Sequence, residues 1–423
     1  MSNNILVDYY EQFKQAAIGM NLSVPANDPT IYIVNKRQQE AVAAMNGGPR
    51  KYSHWSFGKN ADFFHHGKRI YFCDLMAMGI EPRAFMPYDF SLGGQLFFLA
   101  YFLALNDFVS HNRAWFNVPD DVWDRSRTNS ERISQYRNDD AIGYEKVEHV
   151  LTAAHAMRYQ CSHSALWGDK TCDLLEETIF ASTVLENWQK DILRIVHDEW
   201  KWLLPRIETK LMMAGYASFF ATRIVEAAGV SDDLFAQCRQ AHEETVAFPK
   251  PGSLNLQQIG SVLFEAIDSN YGREALFHAR DTMHDVTFVA RFLDQKIAQE
   301  NSLFSWSPAP GDEHEEIYLV AERIRITDIS DERGWKKVSD RFIECLGYAP
   351  NLPVRIVKTP DTEGRLVLLH TYQGKVFEPK MLRGALELMY SLWKIPIEVI
   401  IATKKGVIRH TYDRKNGFRI RDF

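Results

Sequence analysis

A mainly α-helical body followed by a smaller α+β domain is the fold class that this sequence predicts, on three observations. The 423-residue chain is 46% hydrophobic and 25% charged, the balance of a globular protein with a sizeable core. From about residue 68 to about residue 230, apolar side chains recur at helical spacing. After Trp306-Ser-Pro-Ala-Pro-Gly the pattern turns to short β-rich runs, which places a boundary near 307–313. The expected domains are therefore residues 1–306, helical, and residues 307–423, α+β.

Along the chain, residues 5–18 put Leu6, Tyr9, Phe13 and Ala17 on one helical stripe, with Gly19 as its stop. IYIV reads as a short strand, RQQEAVAAM as a helix and Gly47-Gly48-Pro49 as a turn. Lys68–Met78, Leu92–Val109, Ile142–Met157 and Leu185–Leu204 read as helices. In the last of these, Trp188, Ile192, Ile195 and Leu203 share a face at a period of roughly 3.6. Pro205 then interrupts or kinks the helix before a second helical run to Ala228. Residues 160–182 are polar and irregular, a surface connection. In the α+β domain IYLVAERIRITDI, VRIVKT, RLVLLHTY, IEVIIAT and GVIRHTYD read as strands, with a helix at Glu378–Leu392.

Composition narrows the function. A net charge of −6 gives no general affinity for nucleic acid or anionic membrane. The uncharged run Phe90–Leu105 contains Gly93, Gly94 and Gln95 and is followed by Asp107. Spanning a bilayer takes roughly 20 apolar residues, so this run reads as a buried core helix and not a membrane span. Cys73, Cys161, Cys172, Cys238 and Cys345 are scattered, as reduced thiols of a cytoplasmic protein would be. The first residues lack the pattern of a signal peptide. No P-loop, G-x-G-x-x-G or G-x-S-x-G occurs, so no cofactor is expected.

Several long strings resemble the SpoVR family (stage V sporulation protein R) in the same order. They are YSHWSFGK at 52–59, LENWQKDILRIVHDEWKWLLPRIETK at 185–210, ASFFATRI at 217–224, LNLQQIGSVLFEAI at 254–267 and YGREALFHARDTMHDVTFVARFL at 271–293, with GVIRHTYD near the end. The resemblance implies a zincin-like descent, with two histidines at i, i+4 and a glutamate from a later helix converging on one metal. At those positions this chain carries Tyr101, Leu105 and Ala214, within AYFLALNDFVSHN and MAGYA. Leucine and alanine offer no lone pair and a neutral phenol is a poor ligand, so the implied metal site is expected to have become core. Met283 likewise stands where the family has a glutamate, while Asp285 is kept.

Replacement ligands are not evident in the sequence. His65 and His66 point about 100° apart on a helix, Cys161, His163 and Cys172 lie in the irregular connection, and His278 and His284 face differently. His54 and Lys59 in HWSFGK, with Gly58 allowing close backbone approach, suit an anionic ligand; equally, Trp55 and Phe57 anchor the loop while His54 makes a structural hydrogen bond. Candidate binding residues are His54, Lys59, Asp107, Asn112 and Arg223, with no catalytic residue and no metal ligand assigned. The expected function is a catalytically inactive scaffold or regulatory partner. The resemblance implies a role in sporulation or stress physiology, beside a PrkA-type serine kinase, a von Willebrand A-type protein or an active paralogue. The alternative is a hydrolase of peptide or peptidoglycan-like substrates, using a relocated metal site or metal-free chemistry around His54, Lys59 and Asp107.

Overall fold

The uncharged run from Leu92 to Asn106 leaves a helix with no solvent face, so the fold must bury it on all sides. The computed structural model describes residues 2–44, 52–54, 76–77, 82–119, 121–157, 175–176, 182–246, 255–301, 317–320, 323–326, 332–344, 346, 354–358, 365–370, 379–403 and 406–422. They form a mainly helical protein with a strand-rich C-terminal region. Two compact units interleave along the chain. The first comprises Met1–Pro49, Lys59–Val122 and Trp202–Ala349; the second comprises Arg50–Gly58, Trp123–Lys201 and Pro350–Phe423. The boundary expected at 307–313 lies outside the described residues.

In the first unit, α1 (Ser2–Gly19) buries Phe13 and Ala17, the stripe its spacing predicts. Strand β1 (Thr30–Val34) precedes α2 (Lys36–Ala44). β1 pairs in parallel with β3 (Arg83–Pro87), and β3 pairs antiparallel with β2 (Met76–Ala77). Met76 was expected at the end of a helix from Lys68; it lies in a strand instead, because its backbone pairs across to Ala84. A short apolar run has no periodicity that separates the two states. The rest of that expected helix lies outside the described residues.

Helix α3 (Leu92–His111) starts where the Ser91 hydroxyl accepts the Gly94 N–H at 3.1 Å. By length and composition it could cross a membrane, yet most of it is buried in this unit, as its polar interruptions predict.

The helix that Pro205 was expected to interrupt or kink runs on to Glu208, as α6 (Asn187–Glu208). α4 (Val122–Asn138) and α5 (Tyr144–Met157) precede it. Proline tolerates the helix but cannot bond the preceding turn; the break comes at Thr209, whose N–H and hydroxyl both donate to the Pro205 carbonyl. α7 (Lys210–Ala227) begins immediately afterwards and packs against α3. α8 (Asp232–Val246) and α9 (Leu256–Tyr271) follow, and α9 crosses α7 where Gly215 meets Gly260. A Cβ on Gly215 would stand 2.2 Å from the Gly260 carbonyl carbon, so both positions need glycine for the backbones to approach. The unit continues through α10 (Arg273–Thr282), α11 (Asp285–Phe292), α12 (Gln295–Glu300), the β4–β5 pair (Ile317–Val320, Arg323–Ile326) and α13 (Glu332–Glu344). Of these, the sequence reading named no helix singly: α10 to α12 fall in its helical body of residues 1–306 but beyond the run to about 230, and α13, whose Val338 and Phe342 enter the core, was missed.

The second unit has its own core, in which α4, α5 and the first part of α6 supply Ile133, Val150, Leu151 and Ile192. Its five-stranded sheet has the order β10-β9-β8-β7-β6, from β6 (Val354–Lys358), β7 (Leu366–His370), β8 (Ile397–Thr403), β9 (Gly406–Asp413) and β10 (Gly417–Asp422). All neighbours are antiparallel except β7 and β8, which α14 (Pro379–Trp393) connects as a parallel crossover. Ile397, Val399 and Ile401 alternate along β8 into this core with Leu386 and Leu392 of α14. The final hairpin turns on Asp413, which accepts the Lys415 and Asn416 N–H groups, and on Gly417 at φ +66°. The sequence reading ended at β9 and missed β10.

Candidate functional site

Tyr101 and Leu105 sit one turn apart on α3, and Ala214 lies on α7, which packs against it. All three are buried, and the Tyr101 hydroxyl donates to the Ala214 carbonyl at 3.3 Å. The helices thus bring together the positions of Tyr101 and Ala214, which the resemblance assigns to a metal. Their donor chemistry does not fit one: the phenol is engaged by a carbonyl, and Leu105 and Ala214 have no donor atoms in their side chains. Among the described residues no group of three or more His, Cys, Asp or Glu is arranged to hold a metal ion.

Two residues further along α3, Asp107 is the hub of a buried polar network. It accepts the Ser23 N–H at 2.7 Å, the Arg280 Nη1 at 2.6 Å and the Tyr216 hydroxyl in a short bond. Burial, reinforced by the Asp107 carboxylate, pushes the Tyr216 phenol well above its ordinary pKa, so the phenol stays a donor. Arg280 also lies over the Phe277 ring at 4.6 Å and donates to Asp281 at 2.7 Å. His111, half-exposed, places Nδ1 2.8 Å from the Asp107 carbonyl oxygen. Asn112 donates to the Arg280 carbonyl at 2.6 Å and the Met283 carbonyl at 2.9 Å, and caps the following 3-10 turn through Ala114. The predicted residues Asp107 and Asn112 therefore converge on Arg280.

Asp285 serves this region from the side. Thr209 spends its hydroxyl on Pro205, so the first N–H groups of α7 lack a local cap. Asp285, fully buried, supplies the cap from another helix, accepting Leu211 N–H at 2.8 Å and Met212 N–H at 2.9 Å. Burial nonetheless pushes its carboxyl up to about 8, with the two N–H donors pulling the other way.

His54 belongs to the second unit and Asp107 to the first. It is buried, with Nε2 3.3 Å from the Thr152 hydroxyl and its ring 4.6 Å from that of His155. Tyr52 links the same group: its hydroxyl donates to Glu199 at 2.8 Å and lies 3.2 Å from His155 Nε2. Arg137 holds the stretch from outside, donating to the Ser53 carbonyl at 2.6 Å and to Glu148. A carboxylate, a phenol and one imidazole are hydrogen-bonded in series here, with the His54 ring against that of His155, and such a series is able to hold and pass a proton.

Of the remaining predicted residues, Arg223 stands on α7, paired with Glu265 at 2.7 Å and lying over Phe219 at 3.6 Å, apart from the Asp107 network. Lys59 lies outside the described residues, as do Trp55, Phe57 and Gly58. Sequence reasoning missed Tyr216, Arg280, His155 and Glu199. Tyr216, Arg280 and Glu199 sit inside or beside strings that carry the resemblance, but partners 64 to 173 residues apart leave no local spacing to read.

Fold and site together define a mainly helical protein whose α3–α7 contact is filled by side chains, with a buried ion pair tying α3 to α10 beside it. The family model described as SpoVR like protein matches residues 2–178 and 165–349, and the chain belongs to that family. The chain is also similar to the Uncharacterized protein YcgB of Escherichia coli (strain K12), 20% identical over 400 residues that cover 74% of this chain and 75% of that protein. No solved structure matches it.

Proposed function

We propose that this SpoVR-family chain works by binding other proteins, as a scaffold or regulatory partner, and not by metal catalysis at the α3–α7 contact. One observation supports the reading most: Tyr101, Leu105 and Ala214 are packed as core, with the Tyr101 hydroxyl satisfied by the Ala214 carbonyl. Three buried ligands without a metal would cost about 1–3 kcal/mol each, whereas burying one leucine side chain gains about 2 kcal/mol. The proposed setting is cytoplasmic, in sporulation or stress physiology, with a PrkA-type serine kinase, a von Willebrand A-type protein or an active paralogue as partner. Co-purification from the native host tests this, and is expected to recover one of the three; recovery of none from cells that express them would contradict it. The triple variant Tyr101→His, Leu105→His, Ala214→Glu is expected to take up zinc, and a folded triple variant without zinc would show that the positions do not converge.

The line of Glu199, Tyr52, His155 and His54 favours a second reading: metal-free acid–base hydrolysis of a peptide or peptidoglycan-like substrate. Turnover of peptidoglycan fragments by the wild type, lost in Glu199→Gln and His155→Phe, would put this reading first. No turnover leaves the binding reading in place.

A further inference from the structure

The turn that opens α6 walls an open depression of about 640 Å³ lined by Tyr136, Leu185, Glu186, Asn187 and Trp188. Two aromatic rings and a carboxylate meet there. The Tyr136 and Trp188 rings stand 6.2 Å apart, inclined at 51°. Each is held in place: the Tyr136 hydroxyl donates to Asp191 at 2.9 Å, and the Trp188 Nε1 donates to Glu186 Oε2 at 2.9 Å. The second bond keeps the exposed Glu186 carboxylate beside the indole, and the Glu186 N–H is itself fixed by the Gln189 side chain at 2.9 Å. Arg132, the cation bonded to Asp191, is already matched by that carboxylate.

Aromatic faces attract cations, and a neighbouring carboxylate adds a second attraction of the same sign. A guanidinium answers both at once, because it stacks flat on a ring while its fork meets a carboxylate. Pre-positioned tryptophan and tyrosine are also the side chains that anchor protein interfaces. A second depression, of about 440 Å³, shares Leu185, Glu186 and Trp188 with the first but sets Lys146, His149 and Lys394 against Glu145 in the rest of its wall, so its charge favours a cation less. The net charge of −6 favours the approach of a basic partner.

We propose that the Tyr136–Glu186–Trp188 depression docks an arginine side chain presented by an extended segment of a basic partner protein. The proposal rests on the binding reading above and names the chemistry of the partner it requires.

The test titrates the full-length chain with a capped tri-arginine peptide and with the same peptide carrying citrulline. Replacing arginine by its uncharged isostere, or making Trp188→Ala or Glu186→Gln, is expected to weaken binding at least about tenfold. Trp188→Phe keeps an aromatic face and is expected to retain binding, and Glu226→Gln, an exposed acid elsewhere, to leave it unchanged. Equal binding of the citrulline peptide, or of arginine peptide by a folded Trp188→Ala variant, would overturn the proposal. Displacement of the peptide by choline at similar concentration would overturn it too, by making this a small-ammonium site. A chain that binds no arginine peptide but holds no metal and turns nothing over refutes the docking site alone; a catalytically active chain refutes the binding reading.

Discussion

Asp107 shows what a single buried residue can decide. Its carboxylate faces Arg280 with both side chains almost fully buried, so removing one charge strands the other. Asp107→Asn is expected to lower stability by about 3–5 kcal/mol, read as a shift of the urea midpoint at unchanged slope; a loss below about 1 kcal/mol would mean that the pair is hydrated in solution. Asp285 makes a prediction about pH. Its carboxyl rises from an ordinary 3.8 to about 8 in the fold, so the fold favours the protonated form. The resulting stability is complete below about 4 and is lost as pH rises through about 8. In Asp285→Asn the amide keeps one acceptor for the cap, and this part of the slope should disappear; an unchanged slope would place the folded value near the ordinary one. The sequence pointed to Asp107 and Asn112 through a shared string. It gave no sign of Arg280 as their common partner, because an ion pair spanning 173 residues is set by tertiary packing.

Helices with strong patterns were legible and short elements were not. α3, read at Leu92–Val109, runs Leu92–His111; α5, read at Ile142–Met157, runs Tyr144–Met157; and the helix of the crossover, read at Glu378–Leu392, runs Pro379–Trp393. β2 was read as helix and β10 went unseen, since two or six residues carry too little pattern and their state is decided by the strand alongside. Pro205 stands inside α6, and the break falls four residues later, where the Thr209 hydroxyl turns back to the Pro205 carbonyl. The crossing of α7 and α9 gives the sharpest test at this scale. Gly215→Ala should cost roughly 1–3 kcal/mol, because the new methyl meets backbone that cannot move aside. Gly19→Ala, with nothing within 4 Å, should change stability by less than about 0.5 kcal/mol. Thermal unfolding of the two variants side by side checks the contrast, and equal effects would mean that the helices do not cross at Gly215.

For the molecule as a whole, family membership and the helical class were readable because several long strings occur in one order. The interleaving of the two units was not, since Tyr52 joins a core otherwise built from residues beyond 122. Such an insertion leaves no mark on local periodicity. It also puts His54 and Asp107 in different units, the one in the cluster with Tyr52, His155 and Glu199 and the other in the network with Tyr216 and Arg280. The central claim is that the α3–α7 contact has become core in a protein that acts by binding. Metal content of the purified, untagged chain by mass spectrometry tests it most directly. Zinc and iron well below one per chain are the predicted result; one tightly held metal per chain would contradict the claim and put hydrolysis first.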